Sequence, residues 1–310
     1  MPVSLAVVIP ATDDPPTLDR CLAAISAAAD PPTEIIVVDE PRSAGPAEAR
    51  NEGVTETTAD VVVFIDSDVV VRPDVFARIR AAFAESEDLV AIFGSYDDLV
   101  APDEIVAGFR NLLHHTVHQR SAGDVRSFWA GLGAVRRAAF DAVGGFDAER
   151  YPLSSIEDVE LGGRLVERGR IVLDPRLRGT HLKRWTLSSM VRTDFGRRGV
   201  PWVVLLVEQR AIPATLNLGA RERGSALAAL VAFYGLVRRR PVVAAAALLA
   251  GAALNHDLIT LLHRNLGVRG AIAGVGLHTI HQLTAVAAVP AGLVQARGVM
   301  RIGSTPARRR

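Results

Sequence analysis

Two carboxylates, Asp66 and Asp68, follow the apolar run Val61-Val62-Val63-Phe64-Ile65 with only Ser67 between them. At the end of a buried strand such a pair can converge on one hard divalent cation. Mg²⁺ and Mn²⁺ want oxygen ligands and commonly take one or two carboxylates plus substrate phosphates. A cation held there would neutralise charge on a departing diphosphate, as Lewis acid and template. A solvated Asp-Ser-Asp turn would carry the same letters. The buried run in front of it is what favours the cation.

The elements that must hold this pair are legible from apolar patterning. Residues 4–9, 34–38, 60–65 and 90–94 read as strands, and 17–29, 46–55 and 72–84 as helices, the last with Pro73 in its first turn. Continuous Val/Ile runs alternating with helices indicate a mainly parallel sheet covered on both faces. In such a sheet ligands bind beyond the carboxyl ends of the strands. Asp39 and the pair Asp66 and Asp68 stand there. Residues 127–180 read as irregular, rich in Gly and charge. His114, His115 and His118 have helical spacing without a ligand pattern and read as ordinary helix-face residues.

The net charge of +1 hides an asymmetry. Residues 1–180 hold 17 Lys+Arg against 30 Asp+Glu, a net of −13, and residues 181–310 hold 18 against 4, a net of +14. The acidic part suits a cation site, and the basic, apolar part suits anionic lipid or a diphosphate. Nucleic acid is not an expected partner, because the basic residues alternate with long apolar runs rather than aromatic platforms. The single cysteine, Cys21, excludes a disulfide framework and reads as a small buried hydrophobe. Residues 1–8 run straight into an apolar strand, so no signal peptide is expected.

Six segments, in order, resemble glycosyltransferase family 2. Val7-Val8-Ile9-Pro10-Ala11 resembles its opening strand, and Val37-Val38-Asp39 its second strand with a base-contacting Asp. Ala49-Arg50-Asn51-Glu52-Gly53 resembles the helix near the nucleotide, and Phe64-Ile65-Asp66-Ser67-Asp68 the metal motif. Val143-Gly144-Gly145-Phe146-Asp147 resembles the acceptor-side turn, and Ile156-Glu157-Asp158-Val159-Glu160-Leu161 the helix with the general base. The resemblance implies a GT-A, Rossmann-like nucleotide-binding domain and an inverting, metal-assisted transfer from a nucleotide sugar, expected to be UDP-linked.

It also implies roles. Asp158 would take the acceptor hydroxyl proton, with Glu157 positioning it or touching the acceptor; acidic residues in a helix's first turn, stabilised by its dipole, are the plainer alternative. Pro10, Ala11, Asp39, Arg50 and Asp66 would line the nucleotide. In His181-Leu182-Lys183-Arg184-Trp185, Arg184 and Trp185 resemble a diphosphate-gripping segment. His181 stands where a Gln is more usual and could be a third metal ligand beside Asp66 and Asp68. The same segment would also suit a basic surface on lipid with Trp185 at the interface. Trp129 with Gly131 could shape the acceptor pocket.

Apolar stretches at 226–237, 242–254 and 271–294, flanked by Arg clusters, point to a membrane. Residues 241–262 and 271–294 are each long enough for a span or a re-entrant hairpin, with Asn255, His256 and Asp257 expected to face His278, His281 and Gln282. The Arg runs favour the cytoplasmic side for both flanks and for the catalytic domain. The expected organisation is a GT-A domain over 1–186, a basic amphipathic interface region over 187–224, an apolar helical hairpin over 225–297 and a basic tail over 298–310. The expected acceptor is a lipid or lipid-linked hydroxyl. A non-catalytic membrane scaffold and a nucleotidyltransferase with a similar acidic site are the alternatives. The second would want a Gly-rich phosphate loop after the first strand, and residues 10–16 supply none.

Overall fold

A computed structural model of the chain describes residues 3–101, 103–209 and 219–303. Positions 210–218 of the expected interface region and the tail from 304 on, Arg308, Arg309 and Arg310 included, lie outside the described residues. The chain divides into two compact units, Met1–Arg184 and Trp185–Arg310.

The first unit runs β1 (Leu5–Pro10), α1 (Leu18–Ser26), β2 (Glu34–Val38), α2 (Pro46–Thr55), β3 (Val61–Ile65), β4 (Val69–Val71), α3 (Val75–Glu85), β5 (Leu89–Tyr96) and α4 (Ile105–Arg120). It continues with β6 (Gly123–Val125), β7 (Leu132–Arg136), α5 (Arg137–Val143), α6 (Glu157–Leu165) and β8 (Arg170–His181). The sheet order is β2-β1-β3-β7-β5-β8-β4, with β6 on β8.

The parallel pairing expected from the Val/Ile runs holds for β2-β1-β3 and for β5-β8. Between them β7 enters antiparallel to both β3 and β5, and β4 and β6 run antiparallel to β8, so the sheet is mixed. The segment 127–180 is therefore not irregular. It supplies two strands and two helices, one strand twelve residues long. Pro73 lies ahead of α3, whose N-cap is Asp74, rather than in its first turn.

Period-2 alternation splits the inner strands between two apolar layers. Leu5, Val7 and Ile9 with Val61, Val63 and Ile65 join α1 and α3 residues in one cluster. On the other face Phe64 packs at 5.2 Å from Phe146 and 6.5 Å from Phe128. α2 closes on β1 there, because Gly53 has no Cβ; one would fall 2.5 Å from Val8 Cγ1. A sheet covered on both sides needs apolar residues at every position, which is why these strands read as unbroken runs.

The second unit comprises α7 (Leu187–Arg192), a π-helical turn (Thr193–Gly199), α8 (Val200–Gln209), α9 (Ala220–Val237), α10 (Pro241–Leu254) and α11 (His256–Gly303). Thr186 and Ser189 form a reciprocal capping box at the start of α7. The expected continuous segment 241–262 is broken, since α10 ends at Leu254. Asn255 leaves the helical conformation and donates to Ser225 Oγ and Gly251 O. Fourteen residues rise only about 21 Å, short of a bilayer's roughly 30 Å hydrocarbon core.

The stretch His256–Gly298 is long and apolar enough to cross a membrane, although Gly267 (φ 67°) interrupts the helix. The expected facing of its polar groups is also corrected. Asn255 meets Ser225, Asp257 lies 3.7 Å from Arg221, and His281 Nδ1 lies 2.8 Å from Asp194 Oδ2 on the π-turn. Gln282 meets His278 on its own helix. A π-turn shifts one side chain out of the α register, and here it is on that turn that Asp194 meets His281.

Candidate functional site

The motif carboxylates of the first unit gather at the C-terminal end of β3. There Asp66 N–H donates to Gly131 O at 3.1 Å and Val69 N–H to Asp66 O at 2.9 Å, closing a turn that presents Asp66 and Asp68. Beneath it Cys21 Sγ contacts Asp66 O at 3.7 Å. Burial, and then the charges of Asp66 and Asp68, push that thiol up to about 12, so it stays protonated and inert.

β4 pairs antiparallel with the end of β8, setting Val69 opposite His181, and Leu182 N–H donates to Asp68 O at 2.8 Å. This pairing brings His181 Nε2 to 3.4 Å from Asp68 Oδ2. Asp68 is held below the usual carboxylate range: its burial would raise it, and His181 and Lys183 outweigh that. The Tyr96 ring stacks on His181 at 4.2 Å and 7°. Among the described residues no group of three or more His, Cys, Asp or Glu side chains is assembled around one point.

Asp66 points elsewhere. Its Oδ1 receives Arg50 NH2 at 2.7 Å, while Arg50 NH1 reaches Glu157 Oε1 at 3.1 Å. Arg50 is buried on α2, and Glu157 is buried at the first residue of α6. The other Glu157 oxygen accepts from Ser155 N–H at 2.7 Å. One guanidinium thus ties the strand-end turn to the helix that carries Asp158, with fork geometry suited to two carboxylates. Asp158 accepts from Ala130 N–H at 3.3 Å and Val159 N–H at 2.8 Å. Burial, then the charge of Glu157, raise its carboxyl to about 7, against the pull of Arg50 and of those two N–H groups.

Asn51, one residue after Arg50, brackets Phe146, donating to its O at 2.8 Å and accepting from its N–H at 2.9 Å. Gly144 and Gly145 (φ 77° and 71°) make the turn that precedes it. Trp129 lies against Tyr96 and His114 at 4.9 and 4.5 Å. His118 is buried against Gly94 O, and burial drops it to about 4.

The remaining candidates sit at neighbouring strand ends or apart. Ala11 is buried and its N–H donates to Val38 O, beside the exposed Asp39. Pro10 closes β1. Arg184 is exposed and paired with Glu104 at 3.0 Å, and Trp185 belongs to the second unit. Sequence reading missed Asn111, which bonds His181 from α4. A lone Asn inside a helix carries no signal until the fold brings its partner to it.

Residues 40–144 match the family model described as Glycosyl transferase family 2. That span contains Arg50, Asp66 and Asp68 and stops short of Asp158. Over 197 residues the chain is 30% identical to the pre-mycofactocin glycosyltransferases of two Mycobacterium tuberculosis strains, covering 60% of this chain and 41% of the relatives. It thus spans less than half of those relatives' length. Among solved structures it is similar to a mannosyltransferase from Pyrobaculum calidifontis in complex with GDP-Man and Mn²⁺. The TM-score is 0.55 and the identity 17%, over 95% of this chain and 88% of that one. At that identity the likeness is one of fold, and the fold is GT-A.

Proposed function

By its first unit this chain belongs to the family 2 glycosyl transferases, and on that premise we propose that it transfers a sugar, with inversion, from a nucleoside-diphosphate sugar to an acceptor hydroxyl. The observation that carries the reading is the Arg50 bridge between Asp66 and Glu157. It puts the diphosphate end and the proton-accepting end of the reaction within one side chain of each other.

The donor set fits a divalent cation. Asp68 and His181 offer a carboxylate oxygen and a ring nitrogen 3.4 Å apart, beside Asp66, whose side chain is partly exposed. Asp68 and His181 would hold Mg²⁺ or Mn²⁺, with Asp66 joining once its carboxylate turns from Arg50 and the remaining positions left to phosphate oxygens and water. Bound there, the ion would supply charge neutralisation for the leaving diphosphate. Asp39, with Pro10 and Ala11, would meet the base, its carboxylate accepting from the ring N–H of uracil. Arg184 would steady the diphosphate. Asp158 takes the acceptor proton, and Glu157, with both oxygens already bonded, positions it rather than touching substrate.

Asp68→Ala is expected to abolish metal-dependent nucleotide binding with the fold intact, read by calorimetric titration of UDP with and without Mn²⁺. Unchanged affinity would remove the motif from the mechanism.

The acceptor is a lipid or lipid-linked hydroxyl, and the chain sits on the cytoplasmic face of a membrane. Supporting this are the apolar side chains that the second unit leaves exposed, Leu227, Phe233, Leu236, Leu249 and Ile272 among them. The net of +14 from residue 181 on adds attraction to anionic lipid. The full chain should sediment with membranes and resist a high-salt wash, because apolar burial rather than charge holds it. Recovery in the soluble fraction without detergent would sink this part of the reading and leave the transferase reading standing.

A further inference from the structure

We propose that Asn111 is a positioning residue that pins a proton on His181 Nδ1 and so turns Nε2 toward Asp68. Asn111 is buried on α4, and both ends of its amide are committed to the same histidine. Its Nδ2 donates to His181 O at 3.2 Å, and its Oδ1 lies 2.7 Å from His181 Nδ1.

An amide nitrogen only donates and an amide oxygen only accepts. Reversing the amide would set two acceptors against each other at the carbonyl, so its orientation is fixed. Oδ1 then demands a proton on Nδ1, because two lone pairs 2.7 Å apart repel. A neutral ring with its proton on Nδ1 carries its lone pair on Nε2. Free imidazole side chains in water favour the other tautomer, so the choice is imposed by the fold.

Three further contacts remove the ring's freedom to escape. Tyr96 lies parallel to one face at 4.2 Å. The β4–β8 pairing fixes the His181 backbone, and Asn111 itself holds the carbonyl. Nε2 then lies 3.4 Å from Asp68 Oδ2, near enough for the two atoms to meet one ion. A histidine that ligates a metal usually donates its other ring N–H to an oxygen acceptor, which orients the ring. Asn111 fills that place here. The proposal rests on the cation reading of Asp68 and His181 for its affinity readout, and not for the tautomer.

The test uses the full chain with ¹⁵N-labelled histidines and long-range ¹H–¹⁵N correlation above about pH 8, where an ordinary imidazole is neutral. The chain has 8 histidines, and the His181→Gln spectrum identifies the one required. Metal-free protein should show His181 protonated at Nδ1. Asn111→Leu should lose that pattern, and Mn²⁺ affinity in the presence of UDP should fall about 10–100-fold. An Nε2–H pattern in the unmodified chain overturns the proposal. So does an Asn111→Leu variant, folded by circular dichroism, that keeps both the tautomer and the affinity. If Asp68→Ala and His181→Gln leave Mn²⁺ affinity unchanged, the cation reading fails while the tautomer result still decides the role of Asn111.

Discussion

Asp158→Asn is expected to leave nucleotide-sugar binding intact and to slow turnover by about 10²–10⁴-fold, the usual worth of one well-placed general base. The carboxamide has the same shape, but it can accept only one of the two backbone N–H bonds, since Ala130 donates to Oδ2 and Val159 to Oδ1. It has no basic lone pair for the acceptor proton. Burial first and the Glu157 charge second hold Asp158 at about 7, so the group works in its deprotonated form only above that range. Wild-type kcat/KM should therefore climb with pH through an acid limb near 7 and be lost as pH falls. Glu157→Gln removes one of the two raising causes and should slide the limb to lower pH. Single-turnover rates for Asp158→Asn close to wild type would place the base elsewhere.

How far the letters alone carried this site depended on whether the signal was local. The runs 4–9, 34–38 and 60–65 announce buried strands because both sheet faces are covered, and Asp39, Asp66 and Asp68 follow from where those runs stop. The antiparallel entry of β7 was hidden. Residues 127–180 are rich in Gly and charge, and β8 carries two register irregularities against β5. Its parallel partner β5 lies about eighty residues away in sequence, and no periodic pattern records a pairing of that range. The end of α10 was hidden likewise. Composition runs apolar through 241–254 into 258–262, and only the bond from Asn255 to Ser225 on α9 reveals the break. Arg50 was readable as a residue near the nucleotide or a neighbouring Asp. That it would hold two carboxylates at once, one 107 positions from it and the other 16, required the folded sheet.

Arg50→Met should destabilise the first unit by about 3–5 kcal/mol, the usual cost of removing one partner from a buried ion pair. Burial alone would weaken the guanidinium's charge, but Asp66, Glu157 and Asp158 outweigh it and hold Arg50 above its ordinary value, so it is always charged. Met keeps much of the volume and removes the cation. Glu157, with a side chain only 5% exposed, is then left beside Asp158 with no positive charge between them. The same loss should raise Asp158 further and move the acid limb of activity to higher pH, because Arg50 is one of the groups pulling it down. Arg50→Lys should recover little, since an ammonium is a point charge and cannot fork to Asp66 and Glu157 together. The decisive comparison is a double-mutant cycle. If the cost comes from the stranded carboxylate, Glu157→Gln in the Arg50→Met background should restore part of the lost stability. The two changes would then be strongly non-additive, as expected for residues in one ion-pair network. Urea unfolding of the full chain measures this, with the slope m checked for constancy across the four proteins. Strictly additive effects, or an Arg50→Met cost below about 1 kcal/mol, would mean that the bridge does not bind the two ends of the site together.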